Sequence, residues 1–388
     1  MLYLDNAATT PIDPRVKDAM IPYFTDMFYN PSSVYSPARK VRAALNESRG
    51  FVADSIGADS GEVFFTSGGT ESDNWAIKGA VVASARGKHI ITSRAEHHGV
   101  LYLCQHLEKL GCTVTYLPVD SEGFVSPDDV EAAIRPDTCL ISLMLANNEV
   151  GTINPIRKYG EIARKHGVLL HTDAVQAVGH IPVNVDDLCV DLLTLSAHKF
   201  YGPKGIGALY VRKGTKLSPV FHGGAQERNK RAGTENVAGI IGMGAALKIC
   251  LEEMSEEKVR VSKLRDDLAQ AILDGIPHTS LNGAKGENRL PGNVNISFRF
   301  IEGESLLLHL DMQGCCASTG SACSSGALDP SHVLMSMGLS HELANGAIRF
   351  SLGRGNKHED IDALMKILAP SVTKLRNLSP LYDDFIKN

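Results

Sequence analysis

The sequence predicts an α/β fold: a mainly parallel seven-stranded sheet flanked by helices, followed by a smaller α+β region. Three observations carry this. Apolar runs of strand length alternate with amphipathic helical stretches from about residue 60 to residue 211. The runs are continuous, as in strands of a parallel sheet buried on both faces. A long helical stretch then separates this region from a second set of short strands and helices.

Residues 62–65, 89–92, 113–117, 139–145, 168–171, 191–195 and 207–211 read as the seven strands. Residues 70–85, 99–110 and 156–166 carry the helical repeat expected of the covering layers. The long helical stretch runs from about Asn236 to Leu273, with Gly275 and Pro277 as its stop. Beyond it, 293–298 and 347–352 read as strands, and 304–310 and 360–375 as helices. Residues 316–326 are rich in Ser, Gly and Ala, the composition expected of a mobile loop.

A chain of 388 residues is long enough for two domains and a large core. Its net charge of -5 argues against a nucleic-acid partner, which demands a basic face. The one basic cluster, Arg228-Asn229-Lys230-Arg231, is too short to coat a duplex and suits a solvated loop or a loop meeting one small anion. The start Met1-Leu2-Tyr3-Leu4-Asp5 has neither a basic opening nor a long apolar run, so no signal peptide is expected, and nothing approaches a membrane span. Eight cysteines without regular spacing suit a reducing, cytoplasmic setting.

Two strand exits set the chemistry. Residues 168–170 lead into His171-Thr172-Asp173-Ala174-Val175-Gln176, and residues 190–195 into Ser196-Ala197-His198-Lys199. Ligands of parallel sheets sit beyond the strand carboxyl ends, so an acid and a lysine arrive at one rim. An amine there can form an imine with a carbonyl, and an acid can keep a pyridine nitrogen protonated. That pairing is how pyridoxal phosphate is held and made an electron sink. A surface lysine and a loop aspartate are commoner in general; Ser196, His198 and Gln176 beside them favour the cofactor.

Three further stretches point at the same rim. Ser67-Gly68-Gly69-Thr70-Glu71 joins a strand to a helix, where glycines and free N–H groups can meet a phosphate. Alone it is a weak signal; Ser196 and His198 as extra donors strengthen it, and no Gly-Lys-Ser/Thr closes a Walker sequence. Ala95-Glu96-His97-His98 follows another strand, where one imidazole could stack on a flat ring and move protons. Metal binding by His97, His98, Cys104 or His106 ranks behind, because adjacent histidines point apart; His98 suits a structural role and no metal is expected. Asn147-Asn148-Glu149-Val150-Gly151 is a turn that could present an amide to a substrate.

In Ile348-Arg349-Phe350-Ser351-Leu352 an arginine stands in an alternating strand pattern. A guanidinium among apolar neighbours suits a planar anion such as a substrate carboxylate, with an internal salt bridge as a serious competitor. Arg354 is the second choice. Cys323, in Ser318-Thr319-Gly320-Ser321-Ala322-Cys323-Ser324-Ser325-Gly326, lacks the apolar surround of a structural cysteine. A thiol there suits nucleophilic attack and hand-over. Cys315 and Cys316 read as packing residues, and the spacing of the three cysteines fits no compact metal site.

With these motifs in order, the chain resembles the cysteine desulfurases, pyridoxal-phosphate enzymes of the class V aminotransferase type. The likeness runs from Tyr3-Leu4-Asp5-Asn6-Ala7-Ala8-Thr9-Thr10 to Leu378-Ser379-Pro380-Leu381-Tyr382. The Ser-Gly-Ser-Ala-Cys type of loop, with Thr319 inserted, and Arg231-Ala232-Gly233-Thr234-Glu235-Asn236-Val237 are similar to the NifS/IscS-like group.

The resemblance implies fold type I, with a large cofactor domain at 15–258. A small domain, 1–14 with 259–388, would carry the cysteine loop at about 316–326. It implies pyridoxal 5'-phosphate as cofactor, L-cysteine as substrate and a homodimer. Lys199 would carry the imine, Asp173 would pair with the pyridine nitrogen, Gln176 would touch the ring hydroxyl and His97 would stack over the ring. Gly69, Thr70, Ser196 and His198 would hold the phosphate, joined by Thr234 of the second subunit. Arg349 would clamp the substrate carboxylate with Asn148 beside it. Cys323 would accept the sulfur and pass it to an iron–sulfur scaffold, with cluster contact through Cys323, or to another acceptor. A selenocysteine lyase, or another class V enzyme, is the alternative. The chain stops at Asn388, soon after the last matching motif, where many relatives continue into a scaffold-docking tail; Cys315 stands where an aliphatic residue is expected.

Overall fold

A computed structural model of the chain describes residues 1–224, 226–319 and 330–387. Its strands, in chain order, are β1 (Leu2–Tyr3), β2 (Val63–Thr66), β3 (His89–Ser93), β4 (Thr113–Leu117), β5 (Thr138–Ser142), β6 (Leu169–Asp173), β7 (Leu192–Ser196), β8 (Gly207–Val211), β9 (Thr279–Asn282), β10 (Asn293–Phe298), β11 (Cys315–Cys316) and β12 (Ala347–Ser351).

The large sheet has the order β2-β8-β7-β6-β5-β3-β4. β8 runs against both of its neighbours; the other strands share one direction, as the sequence predicts. Successive apolar residues serve opposite faces, the period of two that a pleated strand imposes. Phe64, Ile90, Leu140, Leu192 and Leu209 face one apolar cluster, with Trp75 and Ile77 of helix Gly69–Ala83 and Leu103 of helix His98–Lys109. Phe65, Ile91, Ile141, Leu193 and Tyr210 face the other, with Tyr159 of helix Ile156–His166 and Leu45 of helix Ser36–Asp54. Edge strand β4 is the partly exposed one.

Local signals end the elements where they should. Helix Ile156–His166 stops at Gly167, whose φ of 63° is left-handed, and its last turn carries Arg164, Lys165 and His166 against the dipole. Residues 143–145, expected as strand, leave the ladder yet stay bonded to β6: Leu143 N–H donates to His171 O at 3.1 Å and Leu145 N–H to Asp173 O at 2.9 Å.

Helix Val237–Gly275, 39 residues long, links two cores. Ile240, Met243, Leu247 and Cys250 pack on the large sheet. Val261, Leu264, Leu268 and Ile272 pack instead with Leu4, Ile296, Phe298, Phe350 and Leu364 around an antiparallel sheet of order β12-β10-β9. β1 and β11 form a short parallel pair, Leu2 opposite Cys315. Cys315 is buried in this second cluster, so it acts there as a small apolar residue. Among the described residues no helix is long and apolar enough to cross a membrane.

From β3 the chain winds outward to β4, then returns to β5 and continues the other way to β6 and β7. Such a reversal opens a crevice beyond the carboxyl ends of the strands.

Candidate active site

That crevice is a cavity of about 320 Å³, within the size range of small-molecule sites. Gly69, Thr70, His97, Asn148, Asp173, Gln176, Ser196, His198, Lys199 and Arg349, all expected from the sequence, line it together. Thr234 does not; it is exposed in this chain. Cys323 lies outside the described residues. The stretch that holds it is entered from Ser318, bridged to Arg349 in β12, and left at Ser331, whose hydroxyl bonds the Glu149 carboxylate.

The anion end is built where β2 meets helix Gly69–Ala83. Gly68 has a φ of 152°, and a Cβ on Gly207 would lie 2.7 Å from the Gly68 Cα, so the turn and β8 touch backbone to backbone. Glu71 caps Ser67 N–H at 2.8 Å and pairs with Arg231 Nε at 2.9 Å, tying one arginine of the basic cluster to the turn. Ser196 and His198 add donors from the end of β7. Burial, then the Lys199 charge, push His198 down to about 4, so its imidazole is neutral at pH 7.

Asp173 ends β6 with Oδ1 accepting from Val175 N–H at 2.9 Å. Burial raises its carboxyl to about 6, opposed by that hydrogen bond and by Lys199. His97 caps helix His98–Lys109: its Nδ1 accepts from Gly99 N–H at 3.1 Å, which leaves the ring proton on Nε2. Burial and the neighbouring Lys199, His98 and His332 push it down to about 4, giving a neutral ring on the cavity wall. His98 turns elsewhere, stacked on Tyr102 at 4.8 Å. Cys104 is buried in an apolar cluster with its thiol pushed up to about 12. Neither His98 nor Cys104 lines the cavity.

Lys199 Nζ reaches across the cavity to Ala7 O at 2.6 Å and Ala8 O at 2.8 Å. Gln176 Nε2 donates to Ala7 O at 3.0 Å, and His198 Nδ1 meets Thr9 Oγ1 at 3.2 Å. One amino-terminal segment thus braces three site residues. Arg349 pairs with Asp5 at 2.9 Å and donates to Asn148 O at 3.0 Å, yet its buried Nε has no partner among the described residues. The internal ion pair is present, and the same arginine lines the cavity. Arg354 pairs with Asp13 at 2.7 Å and Glu253 at 3.0 Å, over the Tyr201 ring and away from the cavity.

Ala7, Ala8, Asp73, Met144 and Val175 also line the cavity and were not among the expected site residues. The alanines leave no chemical signal. Asp73 leaves one: it is an acid on the buried face of a helix, between Ser72 and Ala76. Burial, then Asp173, raise its carboxyl well above the usual range.

The arrangement offers an anion cradle, an acid and a neutral imidazole for a ring, a primary amine, and an arginine for a carboxylate. The profile of the class-V aminotransferases matches residues 2–364. The cysteine desulfurase IscS of Dictyoglomus turgidum is 57% identical over 380 residues, covering 98% of this chain and 96% of the relative. Among solved structures, a NifS-like protein superposes with a TM-score of 0.90 at 38% identity, covering 96% of this chain and 100% of that one. A structure described as SspA in complex with cysteine gives 0.82 at 38% identity, covering 91% and 99%. The α/β architecture is fold type I of the pyridoxal-phosphate-dependent enzymes. The protein belongs to the class-V aminotransferase family.

Proposed function

We infer that this protein is a pyridoxal-phosphate-dependent cysteine desulfurase, converting L-cysteine to L-alanine and leaving the sulfur as a persulfide on Cys323. The observation that carries the reading is one cavity joining Lys199, Asp173 and His97 to an arginine with an unpartnered Nε.

The residues fit the cofactor. Backbone N–H groups at Gly69 and Thr70, with Ser196 and His198, suit its phosphate. The Asp173 carboxyl suits the pyridine nitrogen: the Val175 hydrogen bond and a nearby cation favour its ionised form against burial, and a carboxylate there would hold that proton in place. When bound, pyridoxal 5'-phosphate supplies an electron sink for the carbon that loses its proton. Gln176 would meet the ring hydroxyl and His97 would cover the ring. Lys199 Nζ would anchor the cofactor and, once freed, would take the proton from the substrate Cα. Arg349, with Asn148, orients the substrate carboxylate. The Cys323 thiolate attacks the substrate sulfur: the S–S bond forms as the C–S bond breaks, the electron pair passes to carbon, and protonation releases alanine.

The working unit is a homodimer in which Thr234 of one subunit completes the phosphate site of the other; its exposure in the single chain supports this. Two apolar clusters support a division into 15–258 and 1–14 with 259–388. The persulfide passes to an iron–sulfur scaffold or another acceptor, and seven free cysteines among the described residues support a cytoplasmic setting.

Borohydride reduction of the holoenzyme followed by peptide mapping tests the anchor: the label falls on Lys199, and a label elsewhere overturns the assignment. Cys323→Ser keeps the cofactor absorbance and forms no persulfide; alanine release at the normal rate would remove Cys323 from the mechanism. Alanine release from cysteine against selenocysteine separates a desulfurase from a selenocysteine lyase.

A further inference from the structure

Arg349 stands in β12 with its backbone held on both edges. It pairs with Asn295 of β10 on one side, and on the other it exchanges hydrogen bonds with Ser318, at 2.6 and 3.1 Å. Its guanidinium has little freedom to swing. The side chain is 4% exposed, and an unpaired cation at that depth is costly. In the cavity, Nη1 donates to Asn148 O, Nη2 to Asp5 Oδ1 at 2.9 Å, and Nε to no group among the described residues.

Asp5 differs from its partner in one respect: its side chain is 20% exposed. Its backbone is pinned, since Asp5 bridges Ser351, and its carbonyl accepts from Tyr3 Oη at 3.1 Å and from Ala8 N–H at 3.0 Å. The carboxylate can therefore turn towards water without disturbing the chain. A monocarboxylate that takes a guanidinium by two parallel hydrogen bonds needs neighbouring N–H groups. Nε is open and Nη2 is occupied by Asp5, so a bidentate ligand on that edge competes with Asp5 for Nη2.

We propose that Asp5 is the exchangeable counter-ion of Arg349: it neutralises the guanidinium in the resting enzyme and yields Nη2 to the carboxylate of the amino-acid substrate. This rests on the reading of Arg349 as the carboxylate clamp. Asp5 acts through Arg349, so it is a positioning residue, and it sets affinity against the substrate. Amino-acid binding includes the loss of one ion pair, and the released Asp5, already 20% exposed, is rehydrated. A purely structural Asp5 would do the reverse, holding the fork in place and strengthening carboxylate binding.

The test titrates holoenzyme with L-alanine and with L-alaninamide, which lacks the carboxylate, and follows the cofactor absorbance. Asp5→Asn keeps an oxygen for Nη2 and removes the charge. It tightens L-alanine binding by about tenfold, the scale of one charge-assisted hydrogen bond net of water, and leaves L-alaninamide unchanged. The unliganded apoprotein of the variant melts at a lower temperature, because the buried arginine has lost its counter-ion. Asp5→Ser serves as a second variant if Asp5→Asn does not fold. Weaker or unchanged L-alanine binding in a folded variant overturns the exchange. Equal affinity of the wild type for L-alanine and L-alaninamide overturns the clamp reading itself, so the two failures are distinguishable.

Discussion

Glu96 shows how a single buried group can be read from the pH dependence of stability. Its Oε1 accepts from Ser93 Oγ at 2.7 Å and Met144 N–H at 3.1 Å, its Oε2 has no partner among the described residues, and burial raises it to about 8. The unfolded chain ionises near 4.5, before the folded one, so stability falls as pH rises from about 4.5 to about 8 and then levels off. Glu96→Gln keeps both accepted hydrogen bonds and removes that slope. Relative to wild type it should gain up to about 4 kcal/mol between pH 5 and pH 8.5, read from urea midpoints; parallel curves would contradict the burial argument. At this scale the sequence was informative wherever a polar residue follows an apolar run. Lys199, Asp173 and His97 stand at strand exits, and a parallel sheet sends strand exits to one rim. Asp73 is harder to read, because its position on the inward face of a helix places it in the site only once that helix is packed.

The turn between β2 and helix Gly69–Ala83 is the element proposed to hold the phosphate, and β8 supports it at closest approach. A Cβ on Gly207 would meet Gly68 Cα at 2.7 Å and Leu195 O at 2.7 Å, both backbone atoms. Gly207→Ala should therefore cost about 1–3 kcal/mol of stability as the backbone shifts and weaken cofactor binding at the displaced turn. Calorimetry and a fluorescence titration with pyridoxal 5'-phosphate measure the two effects; unchanged values for both would contradict the contact. The strands of the large sheet were legible because burial on both faces demands continuous apolar runs. β1, β9 and β11 were not, since segments of two to four residues are too short to show a period. The strand expected over 139–145 ends its ladder at Ser142, where the chain turns towards the cavity while keeping its bonds to β6.

For the whole molecule, the proposed sharing of a site between subunits makes a prediction about mixed dimers. If Thr234 serves the partner's site, Lys199→Ala and Thr234→Arg proteins are each inactive alone. A hybrid of the two regains one working site, built from the Lys199 of one subunit and the Thr234 of the other. Mixing after mild denaturation should restore roughly a quarter of wild-type activity in the pool if subunits pair at random; no recovery would place Thr234 in its own subunit's site or outside any site. The two-core organisation was partly legible, in the long helical stretch before the second set of elements. That one helix serves both cores is a fact of packing which periodicity alone does not give. The amino-terminal residues Asp5 to Thr9 touch Arg349, Lys199, Gln176 and His198. Trimming this segment by proteolysis, or burdening it with a bulky purification handle, would be felt directly at the cavity.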